Sequence, residues 1–220
     1  MPNILSNSLR CATDNSNGLP LHLAPSGPKA NILNVALRLF AARGFAGTSI
    51  RDISNEVGLQ PASLYSHYKG KKEILSTLIN IGHEEHLRQM ESAVSKAGDL
   101  ATPQLRAYVI AHTRFHGELS LLATVINLEL HALPDEMVAT ALQLRTQSIG
   151  IVMEVIVRGQ QNGEFRFTQD YRLACSAICA TGMAISQWYS KEDGHNLDNI
   201  ANANADFACQ MLGAASGDEA

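Results

Sequence analysis

Apolar residues recur along this chain at spacings of three and four, and no run alternates like a half-buried strand for more than a few residues, so the pattern predicts helices throughout. The segment "KANILNVALRLFAARG" sets Ile32, Ala36, Leu39 and Phe40 on one face. It begins beside Pro28, whose missing N–H suits a first helical turn, and stops at Gly44. In "GTSIRDISNEVG", Thr48 and Ser49 precede an apolar set at Ile50, Ile53 and Val57, Asp52 stands where a first-turn carboxylate favours the helix dipole, and Gly58 ends the pattern. After the three-residue turn "GLQ", "PASLYSHY" predicts a helix of one to two turns starting at Pro61. From Lys71, "KKEILSTLINIGHEEHLRQMESAVSKAG" reads as one long helix of about 40 Å at 1.5 Å per residue. Further helices are expected over 103–117, 119–132, 134–162, 168–190 and 196–213. There is no internal repeat.

Residues 1–27 are rich in Ser, Asn, Pro and Gly without a period and read as a flexible arm. Domain boundaries are expected at 28–72 and 73–220, and the fold class is all-α.

Charge sharpens this division. The chain carries a formal net charge of −4, yet residues 28–72 hold Lys29, Arg38, Arg43, Arg51, Lys69, Lys71 and Lys72 against only Asp52 and Glu56. A small basic segment joined to a larger acidic one points to a polyanionic partner for the first alone. Two short helices around a three-residue, glycine-containing turn form a helix-turn-helix, whose second helix lies in the major groove of DNA while the first braces it. Ala62 and Ser63 are small enough for close approach, Ser63 and Tyr65 can reach base edges or phosphates, and the lysines beyond can neutralise phosphates. Leu64 and Tyr68 are assigned to the core side of the same helix. Such helix pairs also occur in proteins that touch no DNA, so the pattern alone leaves a helical protein-interaction module open.

Other chemistry is sparse. The four cysteines (Cys11, Cys175, Cys179, Cys209) lack the spacing of a disulfide framework or zinc ribbon and read as reduced thiols. No stretch approaches the roughly 20 apolar residues of a membrane span and no secretory signal is seen, so the expected location is the cytoplasm and no membrane partner is expected. No Gly-rich phosphate loop, "GxSxG" or "HExxH" occurs, so no enzyme and no cofactor are expected. His112 and His116 stand four apart on one helix, and His83 and His86 three apart on another. A metal site is geometrically conceivable, which keeps a metal-responsive regulator as an alternative. No neighbouring Cys or carboxylate completes a ligand set, and no metal ligand is assigned.

The stretch "ALRLFAARGFAGTSIRDISNEVGLQPASLYSHYKGKKEIL" closely resembles the N-terminal domain of the TetR/AcrR family of bacterial transcriptional regulators. The matching features are the "LFAARGF" close of the first helix, the "TSIRDIS…VGL" helix, and "LYSHYKGKKEIL" where the family has a Leu-Tyr-x-His-Phe-x-x-Lys run. The resemblance implies a dimeric, ligand-responsive regulator, usually a repressor, that binds a palindromic double-stranded operator. It implies DNA contacts from Thr48, Ser49 and Arg51, from Gln60, Pro61, Ala62, Ser63, Tyr65, Ser66 and His67 in the turn and recognition helix, and from Lys71. Gln60-Pro61-Ala62 departs from the Ser-Lys-Gly common in the family, so the operator sequence cannot be borrowed.

Beyond Leu75 the resemblance is to general architecture only, with a small-molecule pocket among the middle helices and subunit pairing by the last two. Candidate effector contacts on the inner sides of the middle helices are Ile81, Glu85, Phe115, Leu122, Ile126, Leu130, Met137, Leu144, Met153 and Trp188, largely apolar positions that a plain core would use as well. The order of "GQQNGEFRF" and "SQWYS" resembles relatives that sense acyl-CoA thioesters, for which Arg145, Arg158 or Arg166 would meet the CoA phosphates. Residues 168–190 are rich in small side chains and the last helix spaces Ile200, Ala203, Phe207 and Met211 as an apolar stripe. A homodimer interface or an internal core would each need that stripe.

Overall fold

The structure is a computed structural model that describes residues 18–20 and 22–214. Its described residues form nine α-helices and two short 3-10 turns, with no strand, as the periodicity predicts. The helices are α1 (Pro28–Arg43), α2 (Ile50–Val57), α3 (Pro61–Tyr65), α4 (Lys71–Ser95), α5 (Ala101–Glu118), α6 (Ser120–Leu128), α7 (Asp135–Gln161), α8 (Tyr171–Trp188) and α9 (Leu197–Met211). The described residues of the expected arm include Leu19, which is buried and whose amide donates to Asn34 Oδ1 of α1 at 2.7 Å.

Where boundaries depart from the periodicity, hydrogen bonds explain the difference. Pro103 does not open α5; the helix begins two residues earlier because the Glu164 carboxylate accepts from the Ala101 and Thr102 amides at 3.0 and 2.9 Å. Partial burial alone would raise the carboxyl pKa, but the hydrogen bonds from Ala101 and Thr102 and the charge of Arg158 together outweigh it and hold Glu164 below its usual value. At α3 the helix stops at Tyr65 rather than Tyr68. The amides of His67 and Tyr68 both turn back to the Leu64 carbonyl, and Glu73 accepts from the Lys69 amide to start α4. The expected 119–132 helix ends at Leu128 and continues as a 3-10 turn over Leu130–Ala132.

Packing divides the chain into two compact units. One comprises Met1–Glu85, Glu118–Gln143 and Ser186–Trp188, and the other His86–Gly117, Leu144–Ile185 and Tyr189–Ala220. In the first, α1 packs on α2 and α6 around Ile32, Leu37, Phe40, Ile53, Leu64, Ile74 and Leu78, all but removed from water. In the second, Leu105, Tyr108 and Val109 of α5 meet Val152, Val155 and Ile156 of α7, Cys175 and Ile178 of α8, and Ala205, Ala208 and Leu212 of α9. Each fully buried large aliphatic or aromatic side chain in these cores contributes about 1.5–3 kcal/mol.

Candidate functional site

The helix-turn-helix is set by local chemistry before any packing. At the start of α2, the Ser49 hydroxyl accepts from the Asp52 amide at 3.1 Å and Asp52 Oδ2 accepts from the Ser49 amide at 2.7 Å, a reciprocal capping box. The hydrogen bonds from Ser49 hold the Asp52 carboxyl below its usual range. Gly58 closes α2 at φ 77 and ψ 27, a left-handed conformation that L side chains adopt at a cost, and this lets the chain turn within "GLQ". Pro61 then opens α3 with its φ already helical.

This arrangement buries Leu64 and Tyr68, as expected, and leaves Gln60, Ala62, Ser63 and Ser66 exposed on the other side of α3, with Pro61 and His67 half-buried. Tyr65 is 53% exposed. Arg51 on α2 and Arg43, Lys69 and Lys72 around it are also exposed. Arg38 is spoken for: its guanidinium meets the Glu56 carboxylate at 2.7 Å and ties α1 to α2.

Two residues expected at DNA are engaged inside the unit. Thr48 is only 2% exposed, and its hydroxyl reaches the Leu39 and Gly44 carbonyls at 3.3 and 3.0 Å. Lys71 points its ammonium inward, donating to the carbonyls of Phe45 and Thr48 at 2.6 and 2.7 Å and lying 4.0 Å from the centre of the Phe45 ring. Desolvation lowers its pKa, opposed by Glu129 and Asp52. The sequence supplies no period or motif that would have revealed this, because the bonds run from a side chain to carbonyls 23 and 26 residues away.

The expected effector residues fall in both units. In the first, Leu122 and Ile126 are buried on α6 and Glu85 is buried with His22 Nε2 3.5 Å from its carboxylate, while Ile81, Leu130, Met137 and Trp188 are half-buried. A cavity of about 580 Å³ in this unit is lined by Phe45, Lys69, Gly70, Lys71, Lys72, Glu73 and Met137. In the second unit Phe115 is fully buried and Leu144 and Met153 are half-buried. Of the three arginines, Arg145 and Arg158 are half-buried, Arg158 bonding Gln104, and Arg166 is exposed.

The histidines behave differently from the sequence expectation. His86 on α4 joins His112 and His116 on α5, so that one ligand atom from each lies within 4.8 Å of the others; His83 is not part of this group. His86 Nε2 and His112 Nδ1 are 2.8 Å apart, His86 Nδ1 is 2.9 Å from Ser148 Oγ of α7, and His112 Nε2 is 2.9 Å from the Cys179 carbonyl of α8. His116 Nδ1 faces the His112 carbonyl at 2.8 Å. Burial pushes the His112 pKa down to about 4 against the opposing pull of that Cys179 carbonyl, so its ring is neutral near pH 7. The i, i+4 spacing of His112 and His116 was a signal; their meeting with His86 was not, because it depends on how α4 packs on α5.

On α9 the residues turned to the core are Ala201, Ala205, Ala208 and Leu212. The stripe read from the sequence faces outward: Phe207 and Met211 are exposed, Ile200 and Ala203 half-buried. On α8, Leu173 is 68% exposed and Ala177, Ala180 and Thr181 share its exposure.

Comparison with known proteins agrees with this architecture. Residues 32–78 match the family model described as bacterial regulatory proteins, tetR family, and residues 98–212 match the tetracyclin repressor-like C-terminal domain, more than half of the chain. The HTH-type transcriptional repressor KstR2 of Rhodococcus jostii (strain RHA1) is 23% identical over 176 residues, covering 80% of this chain and 86% of that protein. A crystal structure of a bacterial regulatory protein in the tetR family from Rhodococcus RHA1 superposes with a TM-score of 0.81 at 27% identity, covering 87% of this chain and all of that one. AibR, solved in complex with isovaleryl coenzyme A and operator DNA, shares the fold at a TM-score of 0.76 and 21% identity, over 86% of this chain and all of AibR.

Proposed function

The chain belongs to the TetR family of bacterial regulatory proteins, ligand-responsive DNA-binding regulators of transcription, and from that premise we propose that it is a repressor that grips a palindromic operator as a homodimer and releases it on binding a small hydrophobic effector of the acyl-CoA class. It acts in the cytoplasm and catalyses no reaction. The observation that carries the reading is the exposed face of α3: Gln60, Ala62, Ser63, Tyr65 and Ser66 stand clear of the core, flanked by the exposed cations Arg51, Lys69 and Lys72. Small polar and aromatic side chains flanked by cations suit base edges within a frame of phosphates.

Pairing of subunits is supported by the outward apolar faces of α8 and α9, since exposed Leu173, Phe207 and Met211 are groups that a second copy would remove from water. A two-fold pair sets two recognition helices about 34–36 Å apart, one DNA turn, and so reads inverted half-sites. The effector reading is supported by AibR, which shares the fold and was solved with an acyl-CoA, and by the half-buried arginines Arg145 and Arg158 as partners for CoA phosphates. An effector that favours a spread arrangement by about 1–3 kcal/mol would weaken operator binding roughly 5- to 150-fold. α4 is the element suited to transmit it, because its first residue, Lys71, is pinned to the loop before α2 while its last ten residues, 86–95, belong to the other unit.

The test is selection of bound sequences from random duplex DNA with the purified protein at several salt concentrations, repeated with CoA thioesters of short and long acyl chains. Enrichment of a palindrome whose binding falls with log salt, and its release by one chain length, is expected. No enriched sequence at any salt would overturn the DNA reading, and an enriched palindrome indifferent to every thioester would overturn the effector class.

A further inference from the structure

We propose that His86, His112 and His116 form a binding site for a divalent transition-metal ion of the zinc class, with three protein nitrogens and one position left for a non-protein ligand. The inference is independent of the operator and of the acyl-CoA effector.

Three imidazoles close together can be a mere packing cluster, and the distinction lies in what holds each ring's other nitrogen. Histidines that ligate metals have the second ring nitrogen fixed by an oxygen acceptor, which sets the tautomer and aims the lone pair. His112 and His116 meet that requirement as they stand, and His86 meets it once its ring proton faces Ser148 Oγ. His112 Nε2 faces the Cys179 carbonyl and His116 Nδ1 faces the His112 carbonyl. A carbonyl only accepts, so both of those nitrogens carry the ring proton. The lone pairs are then on His112 Nδ1 and His116 Nε2. His86 Nε2, 2.8 Å from His112 Nδ1, donates to it, and His86 Nδ1 accepts from the Ser148 hydroxyl.

The group of three therefore differs from a ligand set by the place of one proton. When a cation enters, the proton on His86 Nε2 moves to Nδ1 and is donated to Ser148 Oγ, which can accept as readily as donate. The proton stays within the His86 ring and none is released. Zinc–nitrogen bonds of about 2.0–2.1 Å place tetrahedral donors roughly 3.3 Å apart. The His86–His112 pair, now 2.8 Å apart, opens by about half an ångström to reach this. The remaining surroundings suit a neutral donor set of intermediate softness: His112 is buried, Tyr108 stacks on it with ring centres 5.9 Å apart, and Phe115 stands edge-on to His86 at 4.9 Å. Three imidazoles with no carboxylate favour Zn²⁺, Co²⁺, Ni²⁺ or Cu²⁺ over Mg²⁺ or Ca²⁺.

The consequence is mechanical. α4 and α5 supply the ligands, and α7 and α8 supply the oxygens behind them through Ser148 and Cys179. An ion would cross-link four helices at one point.

The experiment uses the full-length protein freed of metal with a chelator, titrated with Co²⁺ followed by visible absorption and with Zn²⁺ by calorimetry. One ion per chain is expected, with the intense absorption of a four-coordinate cobalt site that Zn²⁺ abolishes. Ser148→Ala is expected to weaken binding about 10- to 100-fold. His86→Gln and His116→Gln should each weaken it further, whereas His131→Gln, at an exposed position, leaves it unchanged. Helical content and thermal unfolding of each variant are compared with the parent. Should His116→Gln fail to fold, His86→Gln and Ser148→Ala decide the matter. Absence of a one-to-one site, or wild-type affinity in the folded His86 and Ser148 variants, would overturn the proposal.

Discussion

His112 lies so close over Gly182 that a Cβ built on the glycine would fall 2.1 Å from the imidazole Cδ2 and 2.7 Å from Nε2. The ring cannot retreat freely, because it is buried, stacked by Tyr108 and bonded on both nitrogens. Alanine would gain about 1 kcal/mol of helix propensity in α8, but overpacking costs about 1–3 kcal/mol. Gly182→Ala is expected to lose up to about 2 kcal/mol net, seen as a fall of several degrees in Tm by calorimetry.

Lys71 and Arg51 separate two roles that one charge pattern had merged. Lys71→Met keeps the aliphatic stem but leaves the Phe45 and Thr48 carbonyls without their charged donor, a loss of about 1.5–3 kcal/mol of stability. Its dependence of operator affinity on salt should match the parent. Arg51→Ala, at an exposed position, should leave stability unchanged and reduce the slope of log affinity against log salt by about 1. A reduced slope for Lys71→Met would show that its ammonium reaches phosphate after all.

Tyr65→Ala removes a ring that is already half in water, so unfolding free energy should move by no more than about 0.5 kcal/mol. Operator affinity is expected to fall at least about tenfold, or 1.4 kcal/mol, with the oligomeric state unchanged. Fluorescence anisotropy on the selected duplex, with sedimentation alongside, distinguishes these.

Glu164→Ala takes the cap from the first turn of α5 and should cost about 1 kcal/mol. The folded carboxyl titrates below its usual 4.5, so the cap's contribution is complete above that value and is lost as pH falls through the folded pKa. Denaturant melts of parent and variant, run at pH 7 and at successively lower pH, should converge in the acid.

Phe207→Glu places a charge in the outward apolar face of α9, where the parent side chain is 58% exposed. The single chain should fold as before, while sedimentation at micromolar concentration shifts from dimer to monomer. Operator affinity should fall with it, since each half-site is then bound alone.

The parts of this molecule legible in sequence were those written in local chemistry. Pro28, Gly44, Ser49, Gly58 and Pro61 punctuate the first three helices at the predicted residues because each acts on its own turn of backbone. Leu64 and Tyr68 were legible as core for the same reason, through the periodicity of a single helix. What escaped were contacts made across helices. The start of α5 depends on Glu164, more than sixty residues away, and the inward turn of Lys71 depends on where the α1–α2 loop leaves its carbonyls. A lysine among lysines looks like a phosphate ligand until its neighbours in space are known. Likewise the α9 stripe was correctly seen as apolar, but two such stripes exist on that helix, and only packing shows that the alanines face in and Phe207 faces out.

The inward Lys71 also bears on where this protein can be cut and rejoined. Its ammonium belongs by sequence to α4 and by bonding to the loop before α2, so the reading head does not end where its last recognition residue ends. A hybrid regulator that takes residues up to Gly70 from this chain and its body from another would inherit the Phe45 and Thr48 carbonyls without their cation and depend on the newcomer to supply one of the right reach. Moving the junction a few residues later, past the first turn of α4, carries the pin along with the lock, and hybrids built that way should keep the operator preference of this chain whatever sensor they are given.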